Sequence, residues 1–459
     1  MNEDDLKKIV IIGGVAAGPK IAAKLLRSDC KCKIDLYTDE DMISYSACGL
    51  PYFIEGLIED PQRLIVRTPQ QFEEKGASIH LNKRCIKILP DEHKIIVRDT
   101  KTNIEQQVEY DKLAITTGAR PIIPAIENLH LKNIFTVRTV QDGINIRNKI
   151  REPETKKAIV VGGGYIGIEM LEAFYKNNLE VTMIERDKHI LSLFDPEMSD
   201  MIADNIVEMS KGKVKILTDE AVVAFQGDGK VEKVITSKGN EIETDIVVIA
   251  VGVTPNTEIA ADAGIELGVS NAIRVNNRMQ TTVKDIYAAG DCIENFHLVS
   301  KNYCWIPLGS SANKEGRCAA INIAGQYDAF PGILGSAVTR YDGLTISMTG
   351  LTETDAKKFG FETICSTMTK KDKAGYMPGA ENITIKLIVD KRLRKILGAQ
   401  AIGGGDADKR VNTVAAAIMA DQTLDSFLHT DMTYAPPFST AVDPLLSAAL
   451  VINNKLYSS

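Results

Sequence analysis

Short runs of β-branched residues that end in glycine recur along the chain and predict buried parallel strands. One run ends in the cluster GGVAAG at Gly18, and a similar run ends in GGGYIG at Gly167. A second pair, DKLAITTG and DIVVIAVG, ends at Gly118 and Gly252 in the same order. Because a helical pattern follows each glycine cluster, the pairs predict two related Rossmann-like α/β units, with the second inserted in the first.

The pattern changes after about Gly332, where polar and apolar residues alternate. The stretches GSAVTRYDGLTISMTG and ENITIKLIVD predict antiparallel strands, and a helical pattern follows over Lys409 to Ala420. The C-terminal part is therefore predicted to be a separate α+β domain. The predicted divisions are a first unit (residues 1–120 and 254–331), an inserted unit (residues 121–253) and a C-terminal domain (residues 332–459).

Composition narrows the class of protein. The 459 residues include 54 basic and 61 acidic ones, and the net charge of −7 disfavours binding to nucleic acid. The apolar runs are too short to span a membrane, and the start MNEDDLKK does not resemble an export signal. Eight cysteines at irregular spacing fit neither a disulfide framework nor a zinc site. We expect a reduced, cytoplasmic protein that binds no metal.

The glycine loop of the inserted unit matches a dinucleotide-binding motif. Gly162, Gly164 and Gly167 have the spacing G-x-G-x-x-G between a predicted strand and a predicted helix. This arrangement places backbone N–H groups against a pyrophosphate. The next strand ends at Glu185, whose carboxylate can accept from a ribose 2′-hydroxyl and repels a 2′-phosphate. The motif therefore favours NADH, although Arg186 beside it leaves NADPH open.

The glycine loop of the first unit departs from that motif. Gly13 and Gly18 hold the outer positions, but Val15 stands where the middle glycine belongs. The acid expected after the next strand is also displaced, because KIDLYTDED offers Thr38 and then Asp39. The loop gains support from DIYAAGDC, in which a strand leads into Gly290 and Asp291, an acid that can hold a ribityl hydroxyl of a flavin.

Cys48 differs from the other cysteines in its position. It lies in SYSACGLPYF at a predicted helix start near the first glycine loop, where a helix N-terminus favours the thiolate. Because no second cysteine lies within five residues, Cys48 must form a mixed disulfide with an external thiol or a sulfenic acid with oxygen. The remaining cysteines are interpreted as structural: Cys30, Cys32, Cys85, Cys292, Cys304, Cys318 and Cys365.

Together, the two glycine loops, TTGARP, AAGDC and ACGLPY resemble the flavin-dependent pyridine nucleotide–disulfide oxidoreductases over the whole chain. The sequence is most similar to their single-cysteine branch of coenzyme A-disulfide reductases, NADH oxidases and NADH peroxidases. The resemblance implies FAD in the first unit, NADH or NADPH in the inserted unit, and dimerisation through the C-terminal domain. The implied FAD residues are Gly13, Gly18, Thr38, Asp39, Thr117, Gly118, Arg120, Gly290 and Asp291. The implied NAD(P)H residues are Gly162, Gly164, Tyr165, Ile166, Gly167, Glu169, Glu185 and Gly252.

Several positions favour the coenzyme A-disulfide reductases within this branch. Ala16 stands where NADH oxidases and peroxidases usually have a catalytic histidine. Tyr376 and Tyr434 match two tyrosines that this family brings to the active site from the partner subunit, where a phenol can donate a proton to a leaving thiolate. These tyrosines join Cys48 as the predicted catalytic residues.

The resemblance also implies a pocket for coenzyme A. Lys24, Arg27 and Ser44 match positions that line this pocket, and the two cations suit phosphate groups. Ala47 replaces an asparagine that often precedes the redox cysteine, which leaves the disulfide substrate open. Further along the chain, Lys409 and Arg410 resemble a basic pair of the dimerisation domain, although a surface salt bridge explains them equally well.

We therefore predict a homodimeric FAD-dependent NAD(P)H oxidoreductase that reduces coenzyme A disulfide, or a related small disulfide or persulfide, through Cys48. Coenzyme A is expected as the substrate or as a bound mixed disulfide. The alternatives are an NADH oxidase or peroxidase that uses a sulfenic acid, a polysulfide reductase, a flavin-bound redox sensor, and electron transfer to a small protein such as rubredoxin. The rhodanese-like extension of the fused persulfide reductases is not expected.

Overall fold

The computed structural model describes residues 6–458. Ser459 and the start MNEDD (residues 1–5) lie outside the described residues. The start is part of the stretch that argues against an export signal. Its α-helices, in chain order, are α1 Ala17–Leu25, α2 Leu50–Glu55, α3 Pro69–Glu73, α4 Val140–Ile150, α5 Tyr165–Lys176, α6 Pro196–Met209, α7 Glu258–Asp262, α8 Gly309–Ile323, α9 Glu353–Lys358, α10 Ala407–Met419, α11 Leu424–Phe427 and α12 Pro444–Ser458.

The strands form several sheets that are described below. In chain order they are β1 Lys7–Ile12, β2 Cys32–Tyr37, β3 Ala77–His80, β4 Lys83–Leu89, β5 Lys94–Asp99, β6 Glu105–Glu109, β7 Lys112–Ile115, β8 Ala119–Pro121, β9 Ile134–Phe135, β10 Lys157–Val161, β11 Glu180–Ile184, β12 Val214–Leu217, β13 Val222–Gln226, β14 Lys233–Thr236, β15 Glu241–Glu243, β16 Ile246–Ile249, β17 Val253–Pro255, β18 Ile286–Ala288, β19 Asn295–Phe296, β20 Tyr303–Cys304, β21 Ala337–Tyr341, β22 Leu344–Gly350, β23 Thr363–Lys371, β24 Asn382–Asp390 and β25 Ile396–Gly403.

The first unit is built on a parallel five-stranded sheet in the order β18-β7-β1-β2-β3. Ile9 to Ile12 of the central strand β1 are all buried, as expected for a strand that helices cover on both faces. Helices α1 and α8 pack side by side against this sheet. A smaller antiparallel sheet of β4, β5 and β6 adjoins it.

The inserted unit has a second parallel five-stranded sheet of similar arrangement, in the order β12-β11-β10-β16-β9, except that its outer strand β9 precedes the other four in the chain. Both sheets place the strand before the glycine loop at the centre, which explains the two matching runs in the sequence. The chain enters and leaves the inserted unit through β8 and β17, which pair antiparallel with Arg120 opposite Thr254. The residue limits of the units stay a prediction.

The C-terminal domain has an antiparallel sheet in the order β21-β22-β25-β24-β23. Helices α10, α11 and α12 pack on it around a core that includes Phe427 and Ile452. The predicted helix over 409–420 is observed as α10, shifted by two residues at its start. The structure therefore confirms the predicted fold class of two Rossmann-like units followed by an α+β domain.

Ion pairs tie the C-terminal domain to the rest of the chain. Arg340 on β21 donates to Glu172 of α5 at 3.2 Å and to Glu55 of α2 at 2.9 Å. Its guanidinium also lies over the ring of Tyr52, 5.0 Å from the ring centroid. Because α2 begins two residues after Cys48, this junction fixes the helix that follows Cys48 relative to both other parts of the molecule.

Candidate functional site

The glycine loop of the inserted unit forms a cradle at the start of α5. At Gly167, a Cβ atom would lie 2.1 Å from the carbonyl oxygen of Gly162, so only glycine allows the helix to pack against the loop. At Gly164, by contrast, a Cβ atom would meet nothing within 4 Å, and the loop is open there. Such an open surface of backbone at a helix N-terminus fits the pyrophosphate of NAD(P)H.

Glu185 is fixed beside this loop. Its carboxylate accepts from the backbone N–H of Gly163 at 2.6 Å and from the N–H of Asp187 at 2.8 Å. The carboxylate is therefore held at the end of β11, where a dinucleotide ribose is expected. Gly252 lies after β16 at the same edge of the sheet, with a φ of +112°.

The glycine loop of the first unit has the same close packing. At Gly18, a Cβ atom would lie 2.0 Å from the carbonyl oxygen of Gly13, which itself has a φ of +108°. Thr38 is buried and lies against Gly14, whereas Asp39 is exposed and pairs with Arg84 at 3.0 Å. The loop fits the pyrophosphate of FAD, and Thr38 lies nearer to the loop than Asp39 does.

Thr117, Gly118 and Arg120 lie where β7 leads into β8. The Thr117 hydroxyl donates to the carbonyl of Asn256 at 2.6 Å, and Arg120 donates to the Asn256 side chain at 2.7 Å. Arg120 also pairs with Glu258 at 2.5 Å. The side chains of Thr117 and Arg120 thus connect the two segments that cross between the units.

A buried network of hydrogen bonds holds the segment of the first unit that contains Asp291. Glu315 of α8 accepts from the backbone N–H of Gly290 at 2.8 Å and from the amide of Asn295 at 2.8 Å. Burial raises the pKa of Glu315 to about 7, and it also raises the pKa of Asp291. The indole of Trp305 donates to the Asp291 carbonyl at 2.9 Å, so the Asp291 backbone is fixed from two sides.

Cys48 lies in a 3₁₀ turn, Ala47–Gly49, directly before α2. It is solvent-exposed in the single chain, and a Cβ atom on Gly309, at the start of α8, would lie 3.9 Å from its Sγ. Neighbouring protein atoms nevertheless desolvate the sulfur in part, and this desolvation raises the pKa of the thiol. The charges of Glu169 and Asp291 raise it further, whereas Arg138 lowers it. The helix start was expected to favour the thiolate, but the net effect of this chain is the opposite.

Glu169 and Tyr165 project from α5 toward the same region. Burial and the nearby Glu172 raise the pKa of Glu169 to about 7. The Tyr165 hydroxyl is buried and has no hydrogen-bond partner among the described residues. Ile166, the next residue, is partly buried and packs against the neighbouring core cluster. Tyr165 and Glu169 thus place a buried phenol and a largely desolvated carboxyl one helical turn apart on α5, and the carboxyl acts on the Cys48 thiol.

The predicted coenzyme A residues lie on two segments. Lys24 lies on α1 and Arg27 shortly after it, and neither has an ion partner among the described residues. Ser44 is buried in a left-handed conformation with a φ of +52°. Its N–H donates to the carbonyl of Gly14 at 2.7 Å, so it lies directly against the first glycine loop.

Tyr376 and Tyr434 lie in the C-terminal domain, in the loops before β24 and α12. They are 77% and 53% exposed. Phe438, in the same loop as Tyr434, is also exposed. This exposed aromatic surface suits a protein interface.

Three further residues of this region lie outside the sequence motifs. Lys20 precedes Lys24 by one helical turn, and the spacing of these cations could have revealed it. Arg138 donates to the carbonyl of Ala119 at 3.0 Å and to the hydroxyl of Tyr45 at 3.3 Å, and its charge reaches Cys48. Arg138 and Glu315 are distant in sequence from the motifs that they support, so no local pattern marks them.

Within residues 6–458, no cluster of side chains could hold a metal ion.

Comparison with known proteins establishes the family. A family model described as pyridine nucleotide-disulphide oxidoreductase matches residues 7–316, and the model for the dimerisation domain of the same family matches residues 336–445. The chain therefore belongs to the pyridine nucleotide-disulphide oxidoreductases.

Individual relatives match this chain over nearly all of its length. The chain is 37% identical to an NAD(P)H coenzyme A polysulfide/persulfide reductase of Pyrococcus horikoshii, across 98% of this chain and 100% of the relative. It is 34% identical to an NADH oxidase of Methanocaldococcus jannaschii, across 96% and 98%. The crystal structure of reduced Bacillus anthracis CoADR-RHD superposes with a TM-score of 0.95 at 34% identity, covering 99% of this chain and 81% of that one.

These findings confirm the resemblance inferred from the sequence. The protein is an FAD-dependent NAD(P)H oxidoreductase of the disulfide reductase type, and it has a dimerisation domain. The two glycine loops fit its two nucleotide cofactors. None of the helices in residues 6–458 is long and apolar enough to cross a bilayer.

Proposed function

We propose that this enzyme reduces coenzyme A disulfide, or a related small disulfide or persulfide, with electrons from NAD(P)H through Cys48. The position of Cys48 carries the proposal. Glu169 of the inserted unit and Asp291 of the first unit both act on its thiol, so the thiol lies where the two nucleotide-binding units meet. The names of the relatives, which include a coenzyme A polysulfide/persulfide reductase, support this substrate class.

The thiolate of Cys48 attacks one sulfur of the disulfide substrate. A bond forms between Cys48 and that sulfur, the substrate S–S bond breaks, and the other half leaves as a thiolate that takes up a proton. Cleavage of the resulting mixed disulfide consumes two electrons and one proton, which releases the second thiol and restores the Cys48 thiolate. Bound FAD supplies these electrons, which it receives from NAD(P)H.

The raised pKa of Cys48 indicates that its thiolate needs a hydrogen-bond donor. Within its own chain, burial and two carboxylates oppose the negative charge. A phenol is a suitable donor both to this thiolate and to a leaving thiolate. We propose that Tyr376 and Tyr434 provide these donors to the partner subunit of a homodimer, which accounts for their exposure in the single chain.

Coenzyme A is held by the cations of α1 in this proposal. Lys20, Lys24 and Arg27 are spaced four and three residues apart, so they follow one face of the helix and its extension. None of them has an ion partner among the described residues, although ion pairs are common elsewhere in the structure. Such unpaired cations suit the phosphates of coenzyme A, and Ser44 lies against the glycine loop that leads into the same helix.

The test is anaerobic NADH consumption by the FAD-loaded enzyme with coenzyme A disulfide as the sole acceptor. We expect turnover by the wild type, its loss in Cys48→Ser, and no change in Cys365→Ser, which alters a half-buried cysteine of the C-terminal sheet. Turnover that survives in Cys48→Ser would overturn the role of the cysteine. Lack of turnover with this disulfide, combined with rapid NADH consumption once oxygen is admitted, would instead favour the NADH oxidase activity of the Methanocaldococcus relative.

Mixed dimers test the exchange of tyrosines between subunits. A Cys48→Ser chain paired with a Tyr376→Phe/Tyr434→Phe chain has one site with an intact cysteine and both tyrosines, provided that the tyrosines come from the partner. We therefore expect about half of the wild-type activity per dimer. If each chain used its own tyrosines, that mixed dimer would be no more active than half of the phenylalanine homodimer.

A further inference from the structure

Arg410 is buried although it carries a charge. Only 8% of it is exposed, and its guanidinium makes hydrogen bonds on three sides. The Nε–H donates to both carboxylate oxygens of Asp443, at 3.2 and 3.1 Å. The two terminal nitrogens donate to backbone carbonyls, Nη1 to Gly405 at 2.7 Å and Nη2 to Asp372 at 2.8 Å.

These contacts join the two segments that carry the exposed tyrosines. The first tyrosine loop, residues 372–381, connects β23 to β24 and contains Tyr376. The second tyrosine loop, residues 428–443, connects α11 to α12 and contains Tyr434. Arg410 thus contacts the first residue of the first loop and the last residue of the second loop.

Each end of this bridge is itself fixed. Asp372 is 2% exposed, and its carboxylate accepts from the N–H of Glu381 at 2.9 Å. This hydrogen bond closes the base of the first tyrosine loop. Asp443 accepts from the hydroxyl of Ser439 at 2.9 Å and from the N–H of Leu445 at 2.8 Å. A displacement of the guanidinium would therefore be transmitted to both loops.

The two loops also contact each other directly. The N–H of Ala374 donates to the carbonyl of Pro436 at 3.2 Å. Gly405 is packed so closely that a Cβ atom there would lie 2.0 Å from the carboxylate of Asp372. The tyrosine loops, Gly405 and Arg410 therefore form one unit in which the guanidinium is the common donor.

Arginine is required at this place for a geometric reason. Its planar guanidinium directs donors to one carboxylate and two carbonyls at fixed angles, whereas the single ammonium of lysine cannot reach all three. The neighbouring Lys409 differs in burial and in partners: its side chain is 68% exposed, and within residues 6–458 its ammonium forms an ion pair only with the adjacent Asp408. The two residues of the basic pair therefore have different roles.

We propose that Arg410 is a positioning residue that sets the placement of Tyr376 and Tyr434 as a pair. This inference rests on the proposed function, in which the two phenols serve the Cys48 site of the partner subunit. Arg410 does not touch the substrate in this scheme. It acts through the tyrosine loops, and its effect on the reaction exists only while the phenols are present.

The test is a mutant cycle between Arg410→Lys and the pair Tyr376→Phe/Tyr434→Phe, with kcat for coenzyme A disulfide as the readout. In the wild-type background, we expect Arg410→Lys to lower kcat on the order of tenfold or more, because small displacements of a donor have large effects on rate. In the phenylalanine background, we expect it to cause no further loss. The KM for NADH stays unchanged throughout, and Lys409→Met serves as the matched control without effect.

A second readout is the rate of alkylation of Cys48 as a function of pH. Arg410→Lys is expected to shift the profile to higher pH, in the same direction as the phenylalanine pair, because both weaken donation to the thiolate. If Arg410→Lys lowers kcat by the same factor in the phenylalanine background, the positioning role is overturned. The role of the tyrosines in the proposed function is not affected by that result. Unchanged kcat in the phenylalanine pair itself overturns the tyrosine role in the proposed function, and the positioning role with it. If Arg410→Lys does not fold, Asp443→Asn takes its place in the same cycle.

Discussion

The groups of its own chain that surround Cys48 disfavour the thiolate, which is the state in which this residue must react. Desolvation and the charges of Glu169 and Asp291 raise the pKa of the thiol, and Arg138 offsets only part of this effect. The short helix α2 begins after Cys48 and spans only Leu50–Glu55. One short helix is a weak source of potential compared with two carboxylates in a partly desolvated site. Desolvation by the packed protein is therefore the largest cause of the raised pKa of Cys48, and carboxylates from remote segments add to it.

Glu169→Gln is expected to lower the pKa of Cys48. The Glu169 carboxylate has a pKa of about 7, so it is charged above that pH and there raises the pKa of the thiol. The substitution removes this charge, and alkylation of Cys48 by iodoacetamide should become faster above pH 7, by roughly two- to tenfold. Below about pH 6 the two proteins should react alike, because Glu169 is then protonated.

The rate is measured by mass spectrometry of the Cys48 peptide over a range of pH. Glu74→Gln, at an exposed position after α3, is the control for the loss of one negative charge. Identical profiles for Glu169→Gln and the wild type would contradict the proposed effect of this carboxyl on the thiol.

Among the elements, α1 and α8 determine how the first unit presents its glycine loop. The two helices cross at Gly316, where a Cβ atom would lie 2.8 Å from the carbonyl oxygen of Ala17. Ala17 is the first residue of α1 and lies next to Gly18 of the loop. Because the obstructing atom belongs to the backbone, the helices cannot accommodate a larger residue without moving apart.

Gly316→Ala is therefore expected to destabilise the protein by about 1–3 kcal/mol, as is typical of overpacked contacts. It should also weaken the retention of FAD, since the displaced α1 carries the pyrophosphate loop. Chemical unfolding measures the first effect, and the fluorescence of released flavin measures the second. Ser310→Ala, at an exposed position in the first turn of the same helix, should change neither.

In the whole molecule, a buried ion cluster joins the inserted unit to the C-terminal domain. The ammonium of Lys386 on β24 lies 3.0 Å from Asp195 and 2.8 Å from Glu353, and it also pairs with Glu197. The Asp195 carboxylate accepts from the amide of Gln400 at 2.6 Å. The side chains of Lys386 and Asp195 are 2% and 1% exposed, so removing either charge leaves the other buried without this partner.

Lys386→Met is expected to destabilise the protein by about 3–5 kcal/mol, because it leaves the buried carboxylate of Asp195 without a cation. Lys357→Met is the matched control, since Lys357 pairs with the same Glu353 at 2.5 Å but is 60% exposed. An exposed pair contributes about 1 kcal/mol or less. Urea unfolding of both variants measures the difference, and equal small losses would contradict the role of burial.

The cluster also predicts the response of the wild type to acid. The pKa values of Asp195 and Glu353 lie below their ordinary values in the folded protein. Groups of this kind contribute stability that is complete above their unfolded pKa values, near 4, and is lost as the pH falls through the folded values. The contact between the inserted unit and the C-terminal domain should therefore weaken in acid below about pH 4, which urea unfolding at a series of pH values measures.

The sequence by itself determined the features that depend on neighbouring residues. A β-branched strand, a glycine loop and a helix are each defined within a few residues, so the two Rossmann-like units, the antiparallel C-terminal sheet and the cofactor class were all predicted, and the structure and the comparisons confirm them. Cys48 was identified because it follows the first of these motifs. The limits of the units and the roles of the individual site residues stay predictions.

Only the tertiary structure decided which remote groups act on each other. Arg138 and Glu315 reach the site because helices and crossover segments pack there, and nothing near them in the chain indicates this. The same holds for Arg410, which sequence alone could not distinguish from the exposed Lys409. Burial and the approach of charges are properties of packing between distant segments. They determine pKa values and loop positions, whereas local patterns determine only the elements that carry them.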